Sequence, residues 1–175
     1  MKNGKQILLI VLGIFFMNCS NVDEYLTKDE KTQKQLTIKT AKKLQKEKGL
    51  YFSGFGGNGP NKKWDLMMLS LDYYQPLDIK LGRELLMYAV QTYLHEINSN
   101  EKIRPFLIHY PFTYKDIEVA IFIQNPKENP FDLAVIDCLR GEFYYKTEEA
   151  LPLHTRFKET YEEAVKILEQ QKNQK

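Results

Sequence analysis

The sequence predicts an α+β fold, a two-layer sandwich in which an antiparallel sheet of about five strands carries two long helices on one face. Three observations predict it. Within residues 115–124, β-branched apolar residues occur at every second position, Ile117, Val119, Ile121 and Ile123, which is the period of a strand. Residues 78–98 repeat apolar side chains at helical spacing. The links between predicted strands are short, which favours antiparallel pairing and one layer of covering helices.

Along the chain the pattern predicts a helix, two strands, a helix, three strands and a helix. Gly49 suits the end of the first helix, and Asp78 suits the N-cap of the second. Pro105 and Pro111 exclude a regular helix through residues 99–114, which we expect to cross the core as an irregular segment. The predicted ranges are 36–48, 50–55, 64–74, 78–98, 115–124, 131–139, 142–146 and from about residue 152 onwards, with a loop at 56–63 and a turn at 125–130.

The C-terminal segment has the spacing of an amphipathic helix. From about Pro152 the apolar residues Leu153, Phe157, Ala164 and Leu168 are expected to face inward. The segment therefore predicts a last helix that packs on the sheet.

The N-terminus has the pattern of an export signal. Lys2 and Lys5 precede an apolar run of about eleven residues, 7–17, and no charge follows until Asp23. A membrane-spanning helix needs roughly twenty apolar residues, so a cleaved signal peptide is the favoured interpretation. An uncleaved N-terminal anchor is the alternative, since residues 6–22 are uncharged.

The signal ends in a cysteine that resembles the lipobox of bacterial lipoproteins. In that motif the thiol is alkylated by a diacylglycerol and the chain is cut just before it. Phe16 and Asn18 depart from the usual residues, whereas Cys19 holds the required place. We therefore predict lipid attachment at Cys19, with ordinary cleavage nearby as the alternative. Acyl chains would bind a membrane strongly.

These observations divide the chain into three parts. Residues 1–18 are the signal peptide, residues 19–48 are the lipid-attachment cysteine with a tether and a basic helix, and residues 49–172 are a single α+β domain. The full chain has 25 Lys and Arg against 23 Asp and Glu, and removal of the signal takes away two lysines, which balances the charges. Balanced charge argues against a nucleic-acid partner. The basic helix is interpreted as a solvated helix, with contact to anionic lipid as the alternative.

No motif nominates a catalytic, cofactor or metal site. Residues 54–59 match G-x-G-x-x-G as letters, but a strand follows them instead of the helix that a phosphate site needs. His95, His109 and His154 have no metal-site spacing. Cys138 lies in an apolar run and is interpreted as a buried, inert thiol. We therefore predict no catalytic, cofactor-binding or metal-binding residues.

Two weaker features concern the second helix and the strands. Arg83 lies near the apolar side of the helix, where pairing with a strand carboxylate such as Asp72 is conceivable.

Paired aromatic residues on strands would place one ring on each face of the sheet, so an open face would offer aromatic side chains to a partner. A polar stripe of the second helix shares one side and is interpreted as a solvated face: Glu84, Tyr88, Gln91, His95 and Asn98.

The stretch 77–113 is similar to a group of small exported bacterial proteins with no assigned function. The motifs that carry this resemblance are Gly82-Arg83-Glu84-Leu85-Leu86, Glu96-Ile97-Asn98-Ser99-Asn100, Ile103-Arg104-Pro105-Phe106-Leu107, Tyr110-Pro111-Phe112-Thr113 and Glu159-Thr160-Tyr161-Glu162-Glu163-Ala164. The resemblance implies an envelope location and supplies no catalytic residue.

The expected function is that of a membrane-anchored envelope lipoprotein with a non-enzymatic, protein-binding domain. The membrane would be reached through the lipid or an uncleaved helix, and the domain would face the periplasm or the exterior. The alternatives are an exported enzyme and a small-ligand-binding protein, each with a site that the sequence does not reveal.

Overall fold

A computed structural model describes residues 25–124, 131–147 and 153–173. Within them three helices lie on one face of a six-stranded sheet, which confirms the α+β class. The signal segment 1–18, Cys19 and the expected turn at 125–130 fall outside the described residues, so export and lipidation stay predictions.

The helices and strands follow one another much as expected, with one strand more. A short 3-10 turn (Arg104–Phe106) follows the second helix. The helices are α1 (Lys28–Lys48), α2 (Ile79–Asn98) and α3 (Tyr161–Asn173), and the strands are β1 (Tyr51–Asn58), β2 (Leu66–Tyr73), β3 (Ile117–Ile123), β4 (Leu133–Leu139), β5 (Glu142–Thr147) and β6 (His154–Thr160).

The strands lie in the sheet in chain order, β1 to β6. Neighbouring strands are antiparallel, as predicted, except for β2 and β3, which are parallel. The chain leaves β2, passes through α2 and returns to the same end of the sheet, and a crossover of this kind yields parallel pairing. The expected antiparallel sheet of about five strands is therefore a mostly antiparallel sheet of six.

Helix α1 begins at Lys28, whereas the sequence analysis placed its start at residue 36. A capping box fixes the start, because Glu30 accepts a hydrogen bond from the backbone of Thr27 at 2.7 Å. Gly49 ends the helix in the left-handed region at φ 67°, as expected. Much of the predicted tether is thus helical, and α1 packs against β1 and α2. Its buried apolar side chains are Leu36, Ala41 and Leu44.

The sixth strand, β6, is the part of the chain that the sequence analysis assigned to the start of the last helix. Helix α3 begins only at Tyr161. In β6, Phe157 packs on Tyr145 of β5 with ring centroids 5.4 Å apart, and Glu159 is buried towards the helices. Because β5 would otherwise be an unpaired edge, backbone pairing outweighs the helical spacing of the apolar residues.

The core fills the space between the helices and the inner face of the sheet. Every second residue of β2 and β3 points into it, as the period of two predicts. The segment 99–114 crosses the end of this core through buried Ile103, Leu107 and Phe112. Asp78 caps α2 as expected, since its carboxylate accepts a hydrogen bond from the Leu81 amide at 2.6 Å. The core residues of β2 and β3 are Met67, Leu69, Leu71, Ile117, Val119, Ile121 and Ile123.

Candidate functional site

The outer face of the sheet, which we name the open face, is the side that none of the described helices covers. The pairing register sets its side chains in three rows that cross the strands. The first row is Tyr51, Asp72, Phe122, Val135 and Lys146. The second row is Gly54, Ser70, Ala120, Asp137, Tyr144 and Lys158. The third row is Gly56, Met68, Glu118, Leu139, Glu142 and Thr160.

The second row changes in character as it crosses the sheet. Gly54, Ser70 and Ala120 follow one another on β1, β2 and β3, and they are the smallest residues of that row. Asp137 comes next, on β4, opposite Tyr144 of β5. Larger side chains occupy the first and third rows on either side, except at Gly56 on β1. The row therefore forms a shallow floor of small residues that leads to a carboxylate.

Asp137 is the most unusual polar residue of the open face. It is only 6% exposed, although no helix in the described ranges lies above it. Its Oδ2 atom accepts a hydrogen bond from Lys146 Nζ at 2.8 Å. Its Oδ1 atom is buried and has no hydrogen-bond partner among the described residues. A buried carboxylate oxygen without a donor is costly, so its retention here calls for an explanation.

A second carboxylate, Glu118, lies in the adjoining row on the neighbouring strand. Burial raises the pKa of Glu118, and the charge of Asp137 raises it further, while Lys146 acts in the opposite direction. Burial likewise raises the pKa of Asp137 against the effect of Lys146. Two acids thus share one lysine in a partly desolvated environment, and this pattern is frequent at functional sites.

The far end of the open face carries a second group of charges around Tyr144. Lys146 Nζ and Lys158 Nζ lie 5.3 and 5.2 Å from the centre of its ring, which is within the range of cation–π contacts. Lys158 also pairs with Glu142 at 2.9 Å. The charge of Lys158 is therefore already balanced by Glu142, and Lys146 is the lysine that compensates Asp137 and Glu118.

Exposed apolar side chains lie beside the acidic pair and at the β1 edge of the open face. Tyr51 is 44% exposed, Phe122 is 38% exposed and Leu139 is 37% exposed. Tyr51 packs edge-on against Tyr74 with ring centroids 5.3 Å apart. Aromatic side chains beside charged groups are typical of protein-binding surfaces.

The predicted polar stripe of α2 divides between two environments. Glu84, Tyr88 and Gln91 line a groove of about 360 Å³ between α2 and α3. His95 lies outside this groove and is exposed. Asn98 instead exchanges two hydrogen bonds of 2.8 Å with the backbone of Phe112, so it fixes the crossing segment.

The basic side of α1 is partly paired within the protein. Lys39 Nζ and Lys43 Nζ lie 3.2 and 3.8 Å from the Glu96 carboxylate of α2. Because these pairs are solvent-exposed on the lysine side, they leave the basic charge accessible.

The three histidines do not form a metal site. His109 Nε2 lies 3.0 Å from Asp116 Oδ2, which also accepts hydrogen bonds from the amide and hydroxyl groups of Thr113. Burial alone would raise the pKa of Asp116, but these hydrogen bonds hold it below its usual value. His95 and His154 are exposed. In the described part of the chain, no group of three His, Cys, Asp or Glu residues could hold a metal ion.

The glycine-rich segment is mainly structural. Its first part lies within β1, and β2 follows it, so the helix that a dinucleotide site requires is replaced by a strand. A Cβ atom at Gly57 would lie 2.5 Å from the Leu66 carbonyl oxygen and 3.0 Å from the Trp64 ring. Glycine at this position therefore permits the close approach of β2 and the tryptophan.

Arg83 pairs with a strand carboxylate, but with Glu159 instead of the suggested Asp72. Its Nε atom lies 2.7 and 3.0 Å from the two Glu159 oxygens, and the Tyr145 hydroxyl donates to Oε1 at 2.5 Å. Asp72 accepts a hydrogen bond from Gln124 on the open face. The sequence interpretation failed because Glu159 was assigned to a helix.

Cys138 is buried in β4, in agreement with the prediction of a buried thiol. Burial raises the pKa of this thiol to about 12. A thiol in this state is unreactive at neutral pH.

Asp137 is the candidate site residue that the sequence analysis missed. It lies in the run Leu133–Leu139, in which all the remaining residues are apolar. A single acid within a buried strand is a signal, since charged residues are almost never fully buried without a partner. Glu118 alternates with apolar residues in β3 and gave no such signal.

No protein-family model, curated protein or solved structure matches the chain. Within the described ranges, none of the helices combines the length and the apolar character that a bilayer crossing requires. The resemblance to small exported proteins therefore stays a prediction.

Proposed function

We propose that the chain is an envelope lipoprotein, held at a membrane through Cys19, whose domain binds a protein partner through the open face. The role is one of binding and not of catalysis. The observation that carries the binding role is the open face itself, a sheet surface with helices on its other side and exposed aromatic residues on this one.

The exposed side chains of the open face support a protein partner. Phe122 and Leu139 lie beside the acidic pair, and Tyr51 lies two strands from Phe122 in the same row, so the open face presents apolar area beside charge. Burial of such area drives association, and adjacent charges select among partners.

The N-terminal sequence supports the anchor. Basic residues, a short apolar run and Cys19 occur in the order that lipoprotein signals share. The near-zero net charge of the chain without its signal makes the lipid the main cause of membrane association, because general electrostatic attraction to anionic lipid would be weak.

The anchor is tested by the variant Cys19→Ala, with Ser20→Ala as the matched control. We expect the wild type and the control to fractionate with membranes and to show a mature mass that includes a diacylglycerol on the cysteine. The Cys19→Ala variant should lose this mass and leave the membrane fraction. If Cys19→Ala is still cut after Asn18 and stays membrane-bound, lipidation is wrong.

The binding surface is tested by cross-linking in intact cells followed by mass spectrometry. The variants Phe122→Ala and Tyr51→Ala should lose a cross-linked partner that the wild type yields. Ile108→Ala is the control, since Ile108 is equally exposed but lies in the crossing segment, away from the open face. Equal loss in the control, or retention in both open-face variants, would contradict the proposal.

A second candidate, a small-ligand-binding protein or exported enzyme, is favoured by the groove between α2 and α3. Its volume of about 360 Å³ falls within the range of ligand pockets, and Met87, Val165 and Leu168 give it an apolar floor. Native mass spectrometry of the purified chain would detect a retained small molecule. Its loss in Gln91→Trp, which fills the groove, would favour this candidate over the binding role.

A further inference from the structure

One carboxylate oxygen of Asp137 lacks a hydrogen bond. The residue is more than nine-tenths buried, Lys146 serves only its Oδ2, and Oδ1 has no donor in the described structure. Removing a carboxylate oxygen from water without a hydrogen bond is unfavourable. Because Oδ1 is closed to solvent in the free protein, a donor reaches it only when neighbouring side chains of the open face move aside, and the hydrogen bond then formed replaces none to water.

The charges around Asp137 specify the kind of donor. Glu118 is a second acid on β3 whose pKa responds to the charge of Asp137, so the two carboxylates act on one another. Lys146 offers them one positive charge. Lys158, the next lysine on this side, is paired with Glu142 at 2.9 Å. The pair of acids therefore has room for one further positive charge.

The row of small residues supplies a path to these acids. Gly54, Ser70 and Ala120 lie side by side on β1, β2 and β3. Strands are about 4.8 Å apart, so the floor from β1 to β3 is roughly 10 Å wide, comparable with an extended long side chain. The ring of Phe122 borders the path on one side and Glu118 on the other. An aliphatic stem could lie along this floor while its charged end meets Asp137.

We propose that the open face receives a lysine or arginine side chain of the partner protein, with its charged group bound between Asp137 and Glu118. This inference rests on the proposed function, since it specifies the chemistry of the partner. We assign a cationic side chain because two acids in adjoining rows share a single lysine on this face.

The acids should respond to the bound cation through their titration. The charged and titratable groups that face Asp137 are Glu118 from β3, Lys146, Tyr144 and Glu142 from β5, and Lys158 from β6. Burial raises the pKa of both Asp137 and Glu118 in the free protein. A cation prefers the ionised acids, so binding should strengthen as the pH rises through their titration and should lower both pKa values.

The test uses blocked amino acids as probes, so that it needs neither the partner nor a lipid. N-acetyl-arginine methylamide and N-acetyl-lysine methylamide are titrated into the full-length chain in detergent micelles. N-acetyl-citrulline methylamide, which is uncharged and similar in shape to the arginine probe, is the control. We expect the cationic probes to shift the backbone amide signals of Ala120, Asp137 and Lys146 in NMR spectra, and the citrulline probe to leave them unchanged.

Two variants make the result specific. Asp137→Asn keeps the size of the side chain and should weaken binding of the cationic probes roughly tenfold or more, which corresponds to the loss of a charge-assisted hydrogen bond. Glu142→Gln removes a carboxylate of the same face that is already paired with Lys158, and it should change the affinity less than about twofold. Preserved amide dispersion in both variants shows that the fold is intact.

Several results would overturn the inference. Equal shifts with the citrulline and arginine probes would show that charge is irrelevant, and unchanged affinity in Asp137→Asn would exclude the acid. If free putrescine binds more tightly than the blocked amino acids, the ligand of the site is a small amine and not a partner's side chain. Loss of the cross-linked partner in Phe122→Ala without any probe binding would leave the proposed function standing and this inference wrong. Probe binding with no partner loss would leave a cation site on the open face but would overturn both the proposed function and the claim that the site receives a partner's side chain.

Discussion

The buried ion pair between Arg83 and Glu159 joins α2 to β6, the strand that the sequence did not predict. The guanidinium Nε atom lies 2.7 Å from Oε1 and 3.0 Å from Oε2, and Tyr145 donates to the same carboxylate. Arg83 is 6% exposed and Glu159 is 4% exposed. The substitution Glu159→Gln keeps the size of the side chain but leaves the arginine charge buried without its counter-charge.

The expected cost follows from this geometry. Breaking a buried pair by removal of one partner costs about 3–5 kcal/mol in unfolding free energy, since the remaining charge is desolvated and unpaired. The exposed pair of Lys158 and Glu142 has a similar distance of 2.9 Å, yet Glu142→Gln should cost less than about 1 kcal/mol. In Arg83→Met with Glu159→Leu both charges are absent, and we expect a cost of about 1–3 kcal/mol from the Tyr145 hydroxyl that has lost its acceptor.

Urea unfolding of the three variants and the wild type, followed by circular dichroism, measures these differences through the midpoint and slope of each curve. The order of stability should be wild type and Glu142→Gln first, then the double variant, then Glu159→Gln. A Glu159→Gln variant within about 1 kcal/mol of the wild type would refute the assignment of a buried, mutually dependent pair. A double variant less stable than Glu159→Gln would refute the reasoning that the unpaired charge is the main cost.

Three further predictions concern a glycine, an acid and a thiol. Gly57→Ala should lower the unfolding free energy by about 1–3 kcal/mol, because its Cβ would lie 2.5 Å from a backbone carbonyl oxygen, whereas the matched Gly54→Ala, with its nearest contact at 3.8 Å, should cost less in the same urea assay. Burial would raise the pKa of Asp116, but the hydrogen bonds that it accepts hold the pKa below its usual value. The ionised carboxylate of Asp116 should therefore stabilise the fold at pH values above its unfolded-state pKa, and this stabilisation should be lost as the pH falls through the folded-state pKa. In a plot of unfolding free energy against pH, from the same urea assay, Asp116→Asn should flatten the acid side. In Cys19→Ala the thiol of Cys138, whose pKa burial raises to about 12, should react with iodoacetamide only after denaturation, and rapid alkylation of the native chain would contradict its burial.

The elements with strong periodicity were predictable from sequence. The alternation of β3 and the apolar rows and N-cap of α2 gave the class of the fold and its main contacts. The start of α1 was missed because residues 28–35 are mostly polar, and their helix depends on a capping box and on packing against β1. β6 was missed because its apolar residue, Phe157, continues the spacing of α3, and only the free edge of β5 decides between helix and strand.

The candidate site was predictable only in its general character. Paired aromatic residues on strands indicated an open face with exposed rings, and Tyr51 of the pair Tyr51-Phe52 is such a ring, whereas Phe122 belongs to no such pair. The acidic pair could not be predicted, because it depends on the register between β3 and β4, which brings Glu118 and Asp137 into adjoining rows. The partner of Arg83 could not be predicted either, because its identification requires the position of β6 in the sheet.

Two buried carboxylates on opposite faces of the sheet show why the open face is the better place to look for function. On the helix-covered face, both oxygens of Glu159 have donors from Arg83, and Tyr145 adds a third bond. On the open face, Asp137 is about as buried but has a donor for one oxygen only. A buried charge destabilises the fold unless its oxygens accept hydrogen bonds, because an unpaired oxygen lowers stability without a compensating gain. Glu159 meets this requirement and needs no role beyond the fold. Asp137 does not meet it, and a donor from another molecule is what would complete it.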